Sequence, residues 1–432
     1  FLNETGSQNT FIGAYAGCLN TGGNNTFIGA CAGRCFNSSN NVAIGDSALQ
    51  GQSGSSTGGD NIAIGAMAGC DVQGGSSNIF MGRTAGRNTE TGSHNIFMGS
   101  ASGLLNQSGD HNVFLGLGAG CANVSGTSNF IVGCLAGCLT TGSYNTFFGR
   151  TAGQYNTTGC YNTFIGTRAG RFFVSSNNIG IGNSALQGSS GNSTGQNNIA
   201  IGQQAGCDIT SGSYNVFFGL YAGRNTENGQ SNFFAGSSAG CSNVSGSANI
   251  FLGSGSGFLN NSGSCNVFLG EVAGRNNTSG CYNNFIGSQA GRQSTTGCHN
   301  NFMGLGAGYN NGVGCCNTFI GGNAGGENTA NHNIGIGYRA LQGSLGNSTG
   351  DDNIGIGSDA GRCITTGNNN FFGGKQTGCS VNTGCYNTFI GAYAGQYTTS
   401  GSNNVFLGQC AGRGVVSGDD NFIVGNVVGE SA

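Results

Sequence analysis

Proline and tryptophan are absent from the 432 residues, lysine occurs once, at Lys375, and charged residues make up only 7%. Each scarcity excludes something. Proline lacks a backbone N–H, so a chain without any fits an architecture in which every segment lends its N–H groups to a neighbour. One lysine and a net charge of −3 provide no basic face for phosphates, and no nucleic-acid partner is expected. No run approaches the roughly 18 apolar residues of a spanning helix, so no membrane insertion is expected. Chemistry is thinly represented too. Asp110, Asp351, Asp352, Asp419 and Asp420 have no partner base, no Ser/His/Asp arrangement stands out, and there is no Cys-x-x-Cys. The reading is therefore not an enzyme, with no catalytic residue, cofactor or metal.

What is present is a repeat. The stretch Asn9-Thr-Phe-Ile-Gly-Ala-Tyr-Ala-Gly17 returns about every 17 residues as Asn-x-Φ-Φ-Gly-x-x-Ala-Gly, in 25 copies up to Asn421, one of them read as opening at Asn369. A short fixed period marks a solenoid. Seventeen residues are too few for the usual helical repeats and fit one rung of two short strands and two turns. The fold class expected is all-β, a parallel β-solenoid or β-roll of about 25 rungs, and residues 1–432 form one continuous array. Phe1-Leu-Asn-Glu-Thr-Gly6 reads like Phe258-Leu-Asn-Asn-Ser-Gly263. The array is thus expected to begin and end mid-rung, uncapped, as a segment of a longer fibre or a subunit that stacks end to end.

The repeated Asn (Asn9, Asn25, Asn95, Asn162, Asn215) is expected to ladder along the stack. The Gly four residues later (Gly13, Gly29, Gly99) is expected to bend the chain with positive φ. The third position of the unit is Phe in 17 of 25 copies and the fourth is aliphatic in most. Successive strand residues face opposite ways, so one ladder fills the solenoid and the other points out. The Phe ladder (Phe11, Phe27, Phe80, Phe97, Phe114, Phe164) is read as the outward one, an interchain surface some 120 Å long at about 4.8 Å per rung. That predicts lateral association with copies of itself, as a parallel homotrimer. Three units of 20 residues, opening at Asn41, Asn178 and Asn333, carry Leu49, Leu186 and Leu341 in place of Gly. Their strands, and the strands after them, carry Ala or Gly in place of Phe. The Leu is expected to fill the volume of the missing rings.

Asn41-Val-Ala-Ile-Gly-Asp-Ser-Ala48 and Asn198-Ile-Ala-Ile-Gly-Gln-Gln-Ala205 resemble the head repeats of trimeric autotransporter adhesins and the related repeats of tail-fibre-like proteins. The resemblance implies a left-handed parallel β-roll that trimerises, and adhesion to a surface glycan or matrix ligand. The function expected is an extracellular structural fibre or adhesin shaft on a cell or particle surface. The alternative is a ligand-binding solenoid, a glycan-binding fibre tip or an ice binder.

Nineteen cysteines recur in register. Cys121 and Cys138, and Cys281 and Cys298, lie one rung apart, a separation that suits a disulfide; Cys379 and Cys385 could close one loop. Reduced thiols serving as small apolar residues are the other reading. His94, His111, His299 and His332 share one slot with five tyrosines, expected as a half-exposed aromatic turn ladder in preference to an anion or metal site. Asn-x-Ser/Thr triplets at Asn3, Asn37, Asn106, Asn123, Asn156, Asn243, Asn260 and Asn347 are candidate N-glycosylation sites.

Overall fold

The structure is a computed structural model that describes residues 6–52, 56–189, 193–344 and 348–426. The candidate glycosylation residues Asn3 and Asn347 lie outside them. Two units are present, Phe1–Tyr214 and Asn215–Ala432. Among the described residues the first holds twelve strands, from β1 (Thr10–Ile12) to β12 (Ile199–Ile201), and the second thirteen, from β13 (Val216–Phe218) to β25 (Phe422–Val424). Within each unit consecutive strands pair in parallel with repeat positions in register, so that Ile96, Phe97 and Met98 lie on Val113, Phe114 and Leu115. The parallel β-solenoid is the fold that the period demanded.

Each rung contributes one three-residue strand, not two. The second side, expected as a strand, is a train of turns. Its seventh and ninth positions adopt left-handed φ, as at Ala101 (56°) and Gly103 (57°), which breaks any extended run. Rung-to-rung bonding continues there: the Ala101 N–H donates to the Arg83 carbonyl at 2.9 Å and the Gly103 N–H to the Ala119 carbonyl at 3.0 Å. One copy is shifted by a residue. Asn370, not Asn369, takes the ladder position, bonding Asn353, and the strand is Phe371–Gly373.

The Asn ladder closes each rung. The Asn95 backbone N–H donates to Asn78 Oδ1 (2.9 Å), while Asn95 Nδ2 donates to Asn78 Oδ1 (3.1 Å) and to the Gly109 carbonyl (2.8 Å). Asn25, Asn95, Asn162 and Asn215 are buried, and such groups stay buried because each side-chain oxygen and nitrogen finds a partner. The Gly after the strand has φ of 133° at Gly13, 137° at Gly29 and 133° at Gly99. A Cβ on Gly99 would lie 2.5 Å from the Gly116 carbonyl oxygen, so no side chain fits.

The Phe ladder requires a correction. Phe27, Phe80, Phe97, Phe114 and Phe164 are completely buried, and Phe11 is half-buried. They form the core, not an interchain surface. Rings stack one per rung, 4.8 Å apart for Phe97–Phe114 and for Phe251–Phe268. Each ring lies flat on the Gly of the Ala-Gly pair: a Cβ on Gly103 would sit 2.4 Å from the Phe97 ring. This contact explains why Ala-Gly accompanies Phe. The parity was visible at the second position, where Thr10, Asn284 and Asn301 are polar. Second and fourth positions share the outer face, which leaves Phe inside.

The expected compensation is present. Leu49, Leu186 and Leu341 are fully buried. A Cβ on Gly69, in the rung whose strand carries Ala63, would meet Leu49 Cδ2 at 2.8 Å and Phe80 Cδ2 at 2.7 Å. The missing ring is replaced by Leu from one neighbouring rung and Phe from the other.

Candidate functional site

Second and fourth positions make two outward columns on each unit. The columns are chiefly Ile, Val, Leu, Met and Phe with some Thr and Asn, and among the described residues no strand carries a charged side chain. Phe148 is 53% exposed, Phe130 44% and Met98 40% in the first unit; Ile390 is 45% exposed in the second. Bulk in one column is offset in the other: Phe130 shares its strand with Val132, Thr146 with Phe148, Phe233 with Ala235 and Phe371 with Gly373. The Phe371 ring lies over Gly373, its Cε1 being 3.3 Å from where a Cβ would stand. Phe218 and Phe233 meet edge to face at 6.1 Å. The face is therefore largely apolar and uncharged. At strand spacing it measures about 600 Å² in each unit, the upper end of what an unpartnered monomer shows. Thr appears on it at Thr10, Thr26, Thr146, Thr163, Thr318 and Thr388, interrupted elsewhere by Ile, Val, Asn and Phe.

A second surface feature is the slot before the ladder Asn. Its residues have left-handed φ, 59° at His94 and 60° at Tyr144, which turns their side chains outward. His94 and His111 stack at 4.9 Å, Tyr144 and Tyr161 at 5.0 Å, and Tyr282 and His299 at 5.0 Å. The expected half-exposed aromatic ladder is what forms. Among the described residues no three His, Cys, Asp or Glu side chains are grouped to hold a metal ion. Arginines cap aromatic stacks on the corner, as where Arg292 donates to the Tyr309 hydroxyl at 2.7 Å and Arg171 covers Phe172 at 4.8 Å.

Cys121 and Cys138 are joined in a disulfide across adjacent rungs, with Cα atoms 4.8 Å apart. Cys281 and Cys298 are free thiols. Their ladder has another use: the Cys281 N–H donates to Cys298 Sγ (3.1 Å) and the Cys298 N–H to Cys315 Sγ (3.2 Å). Ser264 and Asp110 fill the same slot in other rungs, accepting from Ser247 (3.0 Å) and Ser93 (2.7 Å). Cysteine here substitutes for Ser or Asp as an acceptor. Cys379 and Cys385 are also free and belong to different ladders. Cys379 Sγ faces the Gln396 carbonyl, while Cys385 Sγ accepts from the Asn368 N–H (3.4 Å). Burial, and Asp71 beside it, push the Cys70 thiol up to about 12.

The glycosylation candidates need the second correction. Asn106, Asn123, Asn156, Asn243 and Asn260 are fully buried; Asn37 is half-buried. The first five occupy a second interior column. Asn123 Nδ2 donates to Asn106 Oδ1 (2.8 Å), Asn260 Nδ2 to Asn243 Oδ1 (2.6 Å), and both donate to turn carbonyls. The signal lay in the same column of other rungs, where Phe36, Val72, Ile209 and Ile364 are apolar and buried. A polar recess of about 130 Å³ lies in the first unit, lined by Gln52, Asp71, Gln73, Asn88, Glu90 and Gln107. No known protein family matches the chain, and no curated protein is similar to it.

Proposed function

We propose that this protein is a structural fibre element, a β-solenoid shaft that associates laterally with copies of itself as a homotrimer through the outer strand face and serves outside the cell, on a cell or particle surface. The observation that carries the reading is the uncharged, two-column apolar face. Its regular rung spacing suits packing against another face of the same pitch, because identical pitch lets side-chain rows interdigitate along the contact. About 600 Å² per unit on each partner reaches the low end of a stable interface. The Cys121–Cys138 disulfide supports an oxidising setting. The adhesin resemblance of Asn41–Ala48 adds the trimer and a surface glycan or matrix ligand as partner. No catalytic role is proposed.

Light scattering with and without reductant tests this. The wild type is expected at three times the 43.1 kDa chain mass, unchanged by reductant. Phe148→Glu with Ile165→Glu, outward on adjacent strands, is expected to give monomers with unchanged circular dichroism. A wild type that stays monomeric at high concentration overturns the reading.

The second reading is a glycan-binding solenoid. The recess between Gln52 and Gln107 is lined by planar amides and carboxylates, groups suited to paired sugar hydroxyls. Glycan-array binding lost on Asn88→Ala together with Glu90→Ala would favour it.

A further inference from the structure

Six Asn-x-Ser/Thr triplets have a divided geometry. In those opened by Asn106, Asn123, Asn156, Asn243, Asn260 and Asn277 the Asn is fully buried, while the hydroxyl residue two places on (Ser108, Ser125, Thr158, Ser245, Ser262 and Ser279) is exposed. The buried amides are structural. Asn106, Asn123, Asn243, Asn260 and Asn277 each donate from Nδ2 to the Gly carbonyl three residues later, at 2.8 to 3.0 Å. Asn156 donates instead to the Phe173 carbonyl at 2.9 Å. Nothing can be added at these nitrogens. A Cβ on Gly92 would lie 2.7 Å from Asn106 Nδ2, and one on Gly246 2.8 Å from Asn260 Nδ2.

Oligosaccharide transfer to asparagine acts on the unfolded tripeptide, before burial, and joins the sugar to Nδ2. A glycan there removes one N–H and places a bulky polar group where the column has no room. Closing that rung would then bury a group that cannot be accommodated or leave the rung open. A neighbouring rung stacked on an open one loses its backbone partners as well.

We propose that asparagine-linked glycosylation at these six buried asparagines is incompatible with this fold, so that the protein matures by a route on which these triplets are never modified. Any surface location is then reached without passage through a glycosylating secretory compartment. Asn24, exposed and opening Asn24-Asn-Thr26, is a triplet the folded chain would tolerate modified.

The test is secretion of the full chain from a glycosylating eukaryotic cell, read by glycosidase-sensitive gel shift, by protease resistance and by circular dichroism. The comparison variant combines Ser108→Ala, Ser125→Ala, Thr158→Ala, Ser245→Ala, Ser262→Ala and Ser279→Ala, which abolishes the triplets while keeping every buried Asn. Both chains are first made in bacteria that lack the transferase, where both are expected to fold. In the eukaryotic cell the wild type is expected to be glycosylated, protease-sensitive and retained, and the variant secreted and resistant. Inhibition of glycan transfer should rescue the wild type. A wild type secreted in folded form, whether its buried asparagines carry glycans or are skipped, overturns the proposal. So does retention of both chains, which would place the barrier elsewhere.

Discussion

At the scale of single residues, two positions set the cross-section. The Gly of Ala-Gly exists because the Phe ring rests on it, and left-handed φ compounds the demand. Gly103→Ala brings a methyl into the Phe97 ring and is expected to cost about 1–3 kcal/mol, read as a lowered denaturation midpoint. The ladder Asn is the other. Asn95→Ala leaves the Asn112 N–H without its acceptor, while the Gly109 carbonyl keeps its bond from Asn106 Nδ2. The buried orphan N–H costs about 1–3 kcal/mol. The sensitive measurement is amide exchange at Asn112, expected to speed up well beyond that of distant rungs. Equal exchange in the variant would mean the ladder is passive.

At the scale of the rung, packing is shared with neighbours, and compensation is the test of that. Leu186 reaches the space left by Gly180, whose missing Cβ would stand 3.4 Å from Leu186 Cβ. Leu186→Gly should open a cavity and cost about 2–5 kcal/mol. Adding Gly180→Phe rebuilds the ordinary Phe-on-Gly rung, so the double variant should be more stable than the sum of its parts, a coupling read by a double-mutant cycle. Thiol environment is also a rung property. Exposed Cys265 and Cys316 should alkylate fast at pH 8. Cys70, raised to about 12 chiefly by burial, stays protonated there and should label last by peptide mapping.

At the scale of the molecule, each unit presents an apolar sheet face without charge. Association through it should weaken on cooling and hardly respond to salt, since hydrophobic contact fades at low temperature and screening acts on charges. Sedimentation at 4 °C and 25 °C, in low and high salt, checks this. A complex that dissociates in salt would implicate the arginine corners instead.

The period, the parallel stack, the Asn and Gly ladders and the Leu compensation were all legible in the residues. Each is a local requirement repeated by translation, so one rung states it and the others confirm it. What a single rung left open were matters of direction and distance. Phe97 and Met98 are equally apolar, and within their own rung nothing marks Phe97 as the one turned inward onto Gly103; only the polar second positions of other rungs do. Asn106 has the same triplet whether it faces solvent or the core, and only the apolar residues of its column in other rungs mark it as interior. Cys121 and Cys281 both have a cysteine one rung on; only the first pair is joined, while the sulfur beside Cys281 is held by a backbone N–H. Orientation about the solenoid axis is a property of the closed rung, and it is the tertiary structure that closes it.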